Sequence, residues 1–243
     1  MILPEVSLFV SVFFALTTAL TVFLFDRAVR KGHGSRTANR VLIGLIAWVG
    51  VQGGLAASGF FLAFEVMPPR FLLAVGPPLG LLAAMFFLPK GRAFMDGLAQ
   101  PALTWMHTVR VPVELTLYWL FVAGLVPELM TFAGRNVDIL AGLTAPLVAY
   151  FGLTQGKINR KTLLIWNVVA LGLVMFIVAN AILSAPLPIQ QFAFEQPNLG
   201  VFYLPFNWLP SVVVPLVFLG HVASIRQLLR SPVAQEQPEK ALT

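Results

Sequence analysis

The basic residues of this 243-residue chain are distributed unevenly along a series of apolar stretches. Seven such stretches can be recognised, and the connections between them are alternately basic and neutral. Of the 16 Lys and Arg residues, only Arg70 and Arg135 fall in the near-neutral connections. This alternation is typical of a multi-pass membrane protein, because loops that stay in the cytoplasm carry an excess of Lys and Arg. It therefore predicts both the class of the protein and its orientation.

The composition agrees with this class. Hydrophobic residues make up 58% of the chain and charged residues 11%, against roughly 25% charged in a soluble domain. The net charge of +6 does not indicate nucleic-acid binding, because the basic residues lie beside the ends of apolar stretches. Anionic lipid attracts each such residue by about 1 kcal/mol. We expect the partners to be the bilayer and anionic lipid at the basic inner loops, with no nucleic acid.

The lengths of the apolar stretches predict helices. A helix needs about 20 mostly apolar residues to cross a bilayer, whereas barrel strands would alternate apolar and polar residues. We predict an all-α bundle of seven transmembrane helices over residues 1–230, with the N-terminus outside. A Pro/Gln/Glu-rich cytoplasmic tail, 231–243, is expected to be disordered. The predicted spans are 6–25, 41–64, 71–89, 111–132, 139–153, 163–183 and 209–225.

The connections carry further expectations. Residues 26–40 are predicted to form a cytoplasmic loop, and the less apolar residues 93–110 a short amphipathic helix along the inner interface. The first stretch is followed, not preceded, by basic residues, so we expect it to be a retained span and not a cleaved signal. The chain has no Cys. We predict a multi-pass protein of the bacterial plasma (inner) membrane.

Small side chains recur at four-residue intervals on the second and third predicted spans. Helices in lipid associate closely through such residues. We predict two packing seams, with a ligand-lining groove as the alternative, and expect Gly54→Leu to lower stability in detergent. The residues concerned are Gly50, Gly54 and Ser58 on the second span, and Gly76, Gly80 and Ala84 on the third.

Prolines fall near the middle of three predicted spans, at Pro77-Pro78, Pro146 and Pro215. Each removes a backbone hydrogen bond and kinks or breaks a helix. Carbonyls freed at membrane depth must be satisfied by protein or by a water-filled cavity, and transporters build midplane sites from interrupted helices. Pro77, Pro78 and Pro215 are therefore candidates for a substrate path, and ordinary helix kinks are the alternative.

Two uncharged polar residues, Gln52 and Asn167, lie deep within their predicted spans. Hydrogen bonds between helices are the ordinary explanation for such side chains. The alternative is a polar lining for a solute path, and both residues are candidate contacts for a substrate.

A candidate inner-side polar cluster is formed by His107, Arg110 and His221, and Glu114 nearby is a candidate contact on the substrate path. Ionisable groups inside a membrane are costly and mark functional sites by default. Arg110 lies four residues before Glu114, so the two can pair along one helix. Glu114 is then either an interfacial ion-pair partner or a carboxylate that carries a proton or binds substrate. His107 and His221 could hold a haem iron, but we expect no cofactor, and no metal site because metal catalysis needs at least three ligands.

A candidate outer-side cluster surrounds the turn between the fourth and fifth spans. One cation among three polar partners predicts a structural clasp, with an extracellular ligand site or gate as the alternative. Asp138 or Asn136 is also placed to cap the next helix. The four residues are Glu128, Arg135, Asn136 and Asp138.

These features favour a small permease or channel-like carrier of an unidentified solute, with Glu114, Gln52 and Asn167 along its path. The alternative is a membrane subunit or sensor that binds a partner, a lipid or a cofactor, either as a homo-oligomer or in a membrane complex. A lipid-modifying enzyme is a third reading, suggested only by the group His107, Arg110 and Glu114 at the inner leaflet.

Overall fold

A computed structural model describes residues 6–230 of the chain. It is 75% helical, and the described residues contain no β-strand, so the all-α prediction is confirmed. The predicted disordered tail, 231–243, lies outside the described residues. The α-helices are α1 Leu8–His33, α2 Ser35–Ala57, α3 Leu72–Phe87, α4 Pro89–Asp96, α5 Gln100–Met106, α6 Arg110–Val122, α7 Ile139–Leu147, α8 Arg160–Leu183 and α9 Val214–Arg230. A 3-10 turn, His107–Val109, joins α5 to α6, and π-helical turns follow α7 (Val148–Thr154) and precede α9 (Leu209–Val213).

Several helices are long and apolar enough to cross a membrane. Four qualify alone: α1, α2, α8 and the run Leu209–Arg230. A fifth is obtained if α3 and α4, which meet at an angle of 89°, form one broken span. Large apolar side chains point outward, for example Leu8 at 78% and Phe87 at 72% exposure, while polar ones are buried inside. This distribution is suited to a lipid surrounding. The count of seven spans and the orientation of the termini stay predictions.

The basic connections meet at one end of the bundle. The contacts that join them link His33 to Phe94, Asp96 to Arg226, and Arg160 to the carbonyl of Leu228. Arg70 and Arg135 lie at the opposite end, over the rings of Phe60 and Phe192 respectively. The alternation of charge along the sequence therefore becomes a separation of charge between two ends of the fold.

The predicted loop 26–40 is wrong. Helix α1 continues to its end at His33, and α2 begins two residues later, after a single break at Gly34 with a φ of 79°. An ion pair between Asp26 and Arg30, one helical turn apart, supports the extension of α1. Basic residues in its last turn also face the negative end of the helix dipole. Glycine allows the reversal because it adopts positive φ without strain.

The predicted interfacial helix over 93–110 is also wrong. Helix α5 continues through the 3-10 turn into α6, so the helical run extends from Gln100 to Val122. Met106, in the predicted interfacial part, is fully buried in the bundle. The run also ends earlier than expected, because Gly124 adopts a φ of 76° just beyond it. The predicted bounds of the fourth span, 111–132, therefore do not match a helix of the structure, and this run is not among the helices that qualify as candidate spans.

Pro77 and Pro78 do not break their helix. Helix α3 continues through both residues, and the sharp bend comes later, at the junction with α4. Pro77 has no N–H to donate to the carbonyl of Leu73, four residues earlier. That carbonyl accepts a hydrogen bond from Gln52 Nε2 at 3.2 Å instead. Gln52 therefore satisfies a backbone group that Pro77 leaves free.

Pro215 is accommodated in the same way. Its missing N–H would have bonded the carbonyl of Ser211, which lies in the π-helical turn before α9. This carbonyl accepts a hydrogen bond from Trp48 Nε1 at 2.9 Å. Two side chains of α2, Trp48 and Gln52, thus each satisfy one proline-freed carbonyl on a different neighbouring helix. This gives the two prolines and Gln52 a structural role.

The predicted glycine seams are not formed within the chain. A Cβ atom on Gly50, Gly54, Gly76 or Gly80 would meet no atom of another described residue within 4 Å. The face of α2 that packs against the rest of the chain contains Gly53 and not the neighbouring Gly54. A Cβ atom at Gly53 would lie 3.2 Å from Trp208 Cζ2.

We therefore expect Gly53→Leu to destabilise the protein and the adjacent Gly54→Leu to leave it unchanged. Overfilling a packed interface costs about 1–3 kcal/mol, whereas position 54 has free space. The measurement is the melting temperature of each variant in the same detergent. Equal melting temperatures for the two variants would contradict this packing of α2.

Trp48→Phe should also destabilise the protein, because it leaves the Ser211 carbonyl without a donor. Leaving a buried group unsatisfied costs about 1–3 kcal/mol. The loss should be smaller in a Pro215→Ala background, which restores a backbone N–H near that carbonyl. Thermal unfolding of the four proteins in this double-mutant cycle measures the coupling. Trp105→Phe, at a residue that is 41% exposed, is the matched control, and additive losses would contradict the account.

Candidate functional site

Arg110 is the centre of a buried network between α6, α7, α8 and α9. Its guanidinium forms a two-point ion pair with Asp138, in which Nε donates to Oδ2 at 2.7 Å. It also donates to the carbonyl of Ala170 at 2.9 Å, and its Nη1 lies 3.1 Å from Nε2 of His221. The side chains of Arg110 and Asp138 are only 3% and 9% exposed. The guanidinium is thus surrounded by acceptors on several sides.

Asp138 reaches Arg110 because the chain after α6 folds back into the bundle. Residues 123–138 return along α6, and Asn136 Nδ2 donates to Glu114 Oε1 at 2.5 Å and to the carbonyl of Met130 at 3.0 Å. Asn136 Oδ1 accepts from the backbone N–H of Asp138 at 3.0 Å. The Asp138 side chain makes no capping bond to α7 and is directed to Arg110.

Two histidines stack face to face beside this ion pair. The ring centroids of His107 and His221 are 3.7 Å apart, and the rings are nearly parallel. Trp166 contacts both rings, with centroid distances of 5.8 and 5.7 Å. Glycine at position 220 leaves room for this approach, because a Cβ atom there would lie 3.0 Å from Met106 Cε and 3.1 Å from His107 Cε1.

The contacts of His221 define its tautomer. An arginine can only donate hydrogen bonds, so His221 Nε2 must be the acceptor from Arg110. The proton is then on Nδ1, which lies 3.0 Å from Asn167 Oδ1. Asn167 uses its own Nδ2 to donate to the carbonyl of Leu163 at 2.9 Å, which leaves Oδ1 as the acceptor. His221 is therefore a neutral imidazole held between Arg110 and Asn167.

Three buried atoms of the network have no partner. Both ring nitrogens of His107, and Oε2 of Glu114, lack a hydrogen bond within residues 6–230. His107 is fully buried and Glu114 is 1% exposed. Unsatisfied buried polar atoms are rare and costly. Here they lie on one face of the α5–α6 run, on either side of Arg110.

The structure joins the inner-side and outer-side clusters into one site. His107, Arg110, Glu114 and His221 are connected to Asn136, Asp138 and Asn167, and Arg110 pairs with Asp138 instead of Glu114. Glu128 and Arg135 are exposed and outside the network. The predicted clasp of all four outer residues is therefore wrong. Among the described residues, no hydrogen bond joins Pro77, Pro78, Pro215 or Gln52 to the network. Gln52 and the carbonyls freed by Pro77 and Pro215 serve the packing of α2 described above.

Two members of the site were missed in the sequence. Trp166 contacts both histidine rings, and Ala170 contributes only its backbone carbonyl. A carbonyl carries no sequence signal. Trp166, however, directly precedes Asn167, and α8 brings the two residues to the same pair of rings.

The histidine pair does not fit a haem. Two axial ligands must direct a nitrogen at the iron from opposite sides, but these rings stack on their faces, and both nitrogens of His221 already have partners. No group of three or more His, Asp or Glu residues placed to hold a metal occurs in the described part of the chain. The expectation of no cofactor stays a prediction.

Residues 68–229 match the model of a family described as "Domain of unknown function (DUF8737)". The match covers most of the chain and includes every residue of the network. No curated protein and no solved structure matches the chain.

Asp138→Asn should destabilise the protein strongly, because it leaves Arg110 charged and buried without a counter-ion. Breaking one partner of a buried ion pair costs about 3–5 kcal/mol. Asp96→Asn is the matched control, since Asp96 pairs with Arg226 and Arg230 near the surface and such pairs contribute about 1 kcal/mol or less. Melting temperatures in detergent compare the two. An Asp138→Asn loss no larger than that of Asp96→Asn would show that the network is not needed for stability.

Proposed function

The chain belongs to the DUF8737 family, and we propose that it is a small carrier of the bacterial inner membrane that couples a solute to protons at the buried network. In this proposal the chain crosses the membrane seven times, with the N-terminus outside. The basic end faces the cytoplasm, in accordance with the positive-inside rule.

The observation that carries this proposal is the set of unpartnered atoms on His107 and Glu114. Buried side-chain atoms without a partner also occur outside the network, on Gln52, Ser184, Asn198, Asn207 and Ser224, but among the ionisable side chains of the described residues they are confined to His107 and Glu114. An atom that binds a proton or a solute in another state must be left available in this one. Ionisable groups within a membrane also mark proton relays and ion paths.

Glu114 is the proposed proton site. Its Oε2 is free, while its Oε1 accepts from Asn136, which anchors the folded-back segment 123–138. A hydrogen bond to a carboxylate is roughly twice as strong as one to a neutral acid. Protonation of Glu114 would therefore loosen the hold on Asn136 and on the segment that carries Asp138. This links proton binding to the movement of one segment.

Arg110 provides the fixed charge of the proposed site. It contacts Asp138 on the folded-back segment, Ala170 on α8 and His221 on α9. Release of Asp138 would leave the guanidinium free to pair with an anionic group of a solute, which arginine binds in a two-point geometry. The proposed solute is accordingly one that carries a carboxylate or phosphate.

A second function is favoured by the position of the open hollows. Two surface hollows lie between α3, α4 and α9, and neither is lined by a residue of the network. The exposed glycines of α2 and α3 also leave a face free for another helix. A membrane subunit or sensor, alone or as a homo-oligomer, would use such surfaces. Recovery of a stoichiometric second chain from gently solubilised native membranes, with no solute transport by the purified protein, would favour this alternative.

Glu114→Gln should abolish solute-coupled proton movement and leave the fold intact, because Gln keeps an oxygen for Asn136 but cannot titrate. The assay uses proteoliposomes with a pH-sensitive dye inside and a panel of organic anions outside. Glu128→Gln, at an exposed carboxylate, is the matched control and should behave as the parent protein. Proton movement by Glu114→Gln equal to that of the parent, or none by the parent with any solute tested, would contradict the proposal.

A further inference from the structure

A hollow at the basic end of the bundle lies between α4 and α9. It has a volume of about 300 Å³ and is lined by Arg92, Asp96, Arg226 and Arg230, together with Pro89 and Ala93. It is open to the surface and separate from the buried network. Its lining contains three arginines and one carboxylate.

A second hollow of about 300 Å³ lies between α3 and α9. Its lining is apolar and includes Leu79, Phe86 and Phe87 on one wall and Phe218 and Val222 on the other. In a membrane this groove faces the acyl chains of the surrounding lipid.

The two hollows follow one another along α9. Phe218, Val222, Arg226 and Arg230 are spaced four residues apart, so they share one helix face. The opposite wall changes from α3 to α4 at the 89° bend directly after Phe87. An apolar groove therefore leads into a basic hollow at the end of the bundle.

The charge of the basic hollow is positive. Asp96 accepts hydrogen bonds from both Arg226 and Arg230, so it neutralises only one of them. Arg92 is exposed, and no ion pair involving it is found among the described residues. Guanidinium groups bind phosphate oxygens with two parallel hydrogen bonds.

We propose that this groove is a specific site for one anionic phospholipid. Its phosphate lies at Arg92, Arg226 and Arg230, and one acyl chain lies between α3 and α9. The basic inner loops were expected to attract anionic lipid as a diffuse charge, whereas this site combines charge with a groove for the chain. The proposal does not depend on the carrier function.

The test is native mass spectrometry of the full-length protein released from detergent, with added phosphatidylglycerol or phosphatidylcholine. Two variants change the site without changing a buried contact: Arg92→Gln removes an exposed charge, and Ala83→Trp fills the apolar groove, which the exposed Ala83 also lines. Arg92→Gln should lower the bound phosphatidylglycerol about fivefold, the effect of losing about 1 kcal/mol of attraction, and Ala83→Trp should lower it by excluding the acyl chain from the groove. Arg36→Gln and Ala57→Trp, at exposed positions outside the site, are the matched controls and should bind as the parent does.

The outcomes separate the proposal from its alternatives. One phosphatidylglycerol per chain, lost in both site variants and kept in both controls, supports it. An equal loss in Arg36→Gln would show diffuse attraction to charge, and equal binding of phosphatidylcholine would show an apolar groove without headgroup recognition. Competition by glycerol phosphate at equal concentration would show a site for free phosphate. Each of these three results would overturn the lipid site.

Discussion

The ion pair between Arg110 and Asp138 is the interaction on which the centre of this fold depends. It joins the α5–α6 run to a segment that returns from the far end of the bundle, and the same guanidinium reaches α8 and α9. Two charges at this depth are stable only if each has a full set of partners. The position of Asn136 beside Glu114, and of His221 beside Arg110, follows from that requirement.

A second constraint is the need to satisfy every backbone group in lipid. Pro77 in α3 and Pro215 in the first turn of α9 each leave a carbonyl free, and side chains of α2 supply the missing donors. Prolines and buried polar residues that would suggest a transport path in the sequence thereby explain each other. The remaining unsatisfied ionisable atoms are concentrated on His107 and Glu114, which is why the proposed function is placed there.

The sequence predicted the all-α class and the separation of charge, because apolar run length and the position of basic residues are local properties. It did not predict the site, because Arg110 and Asp138 are 28 residues apart and appeared to lie at opposite ends of one span. Gly124 and Pro127 inside the predicted fourth span were the available signal that this helix ends early. The predicted glycine packing seams were wrong for a different reason. The spacing of small residues shows that they share a helix face, but it does not show which neighbouring helix that face contacts.

The most direct measurement of the central claim is the 15N NMR spectrum of histidine-labelled protein in bilayers at pH 7. The chain has three histidines, so His107→Gln and His33→Gln suffice to assign His221. The account predicts a neutral His221 with a one-bond proton coupling on Nδ1 and none on Nε2, because Nε2 accepts from Arg110. A doubly protonated ring, or a proton on Nε2, would contradict the network, since Arg110 could not then donate to His221.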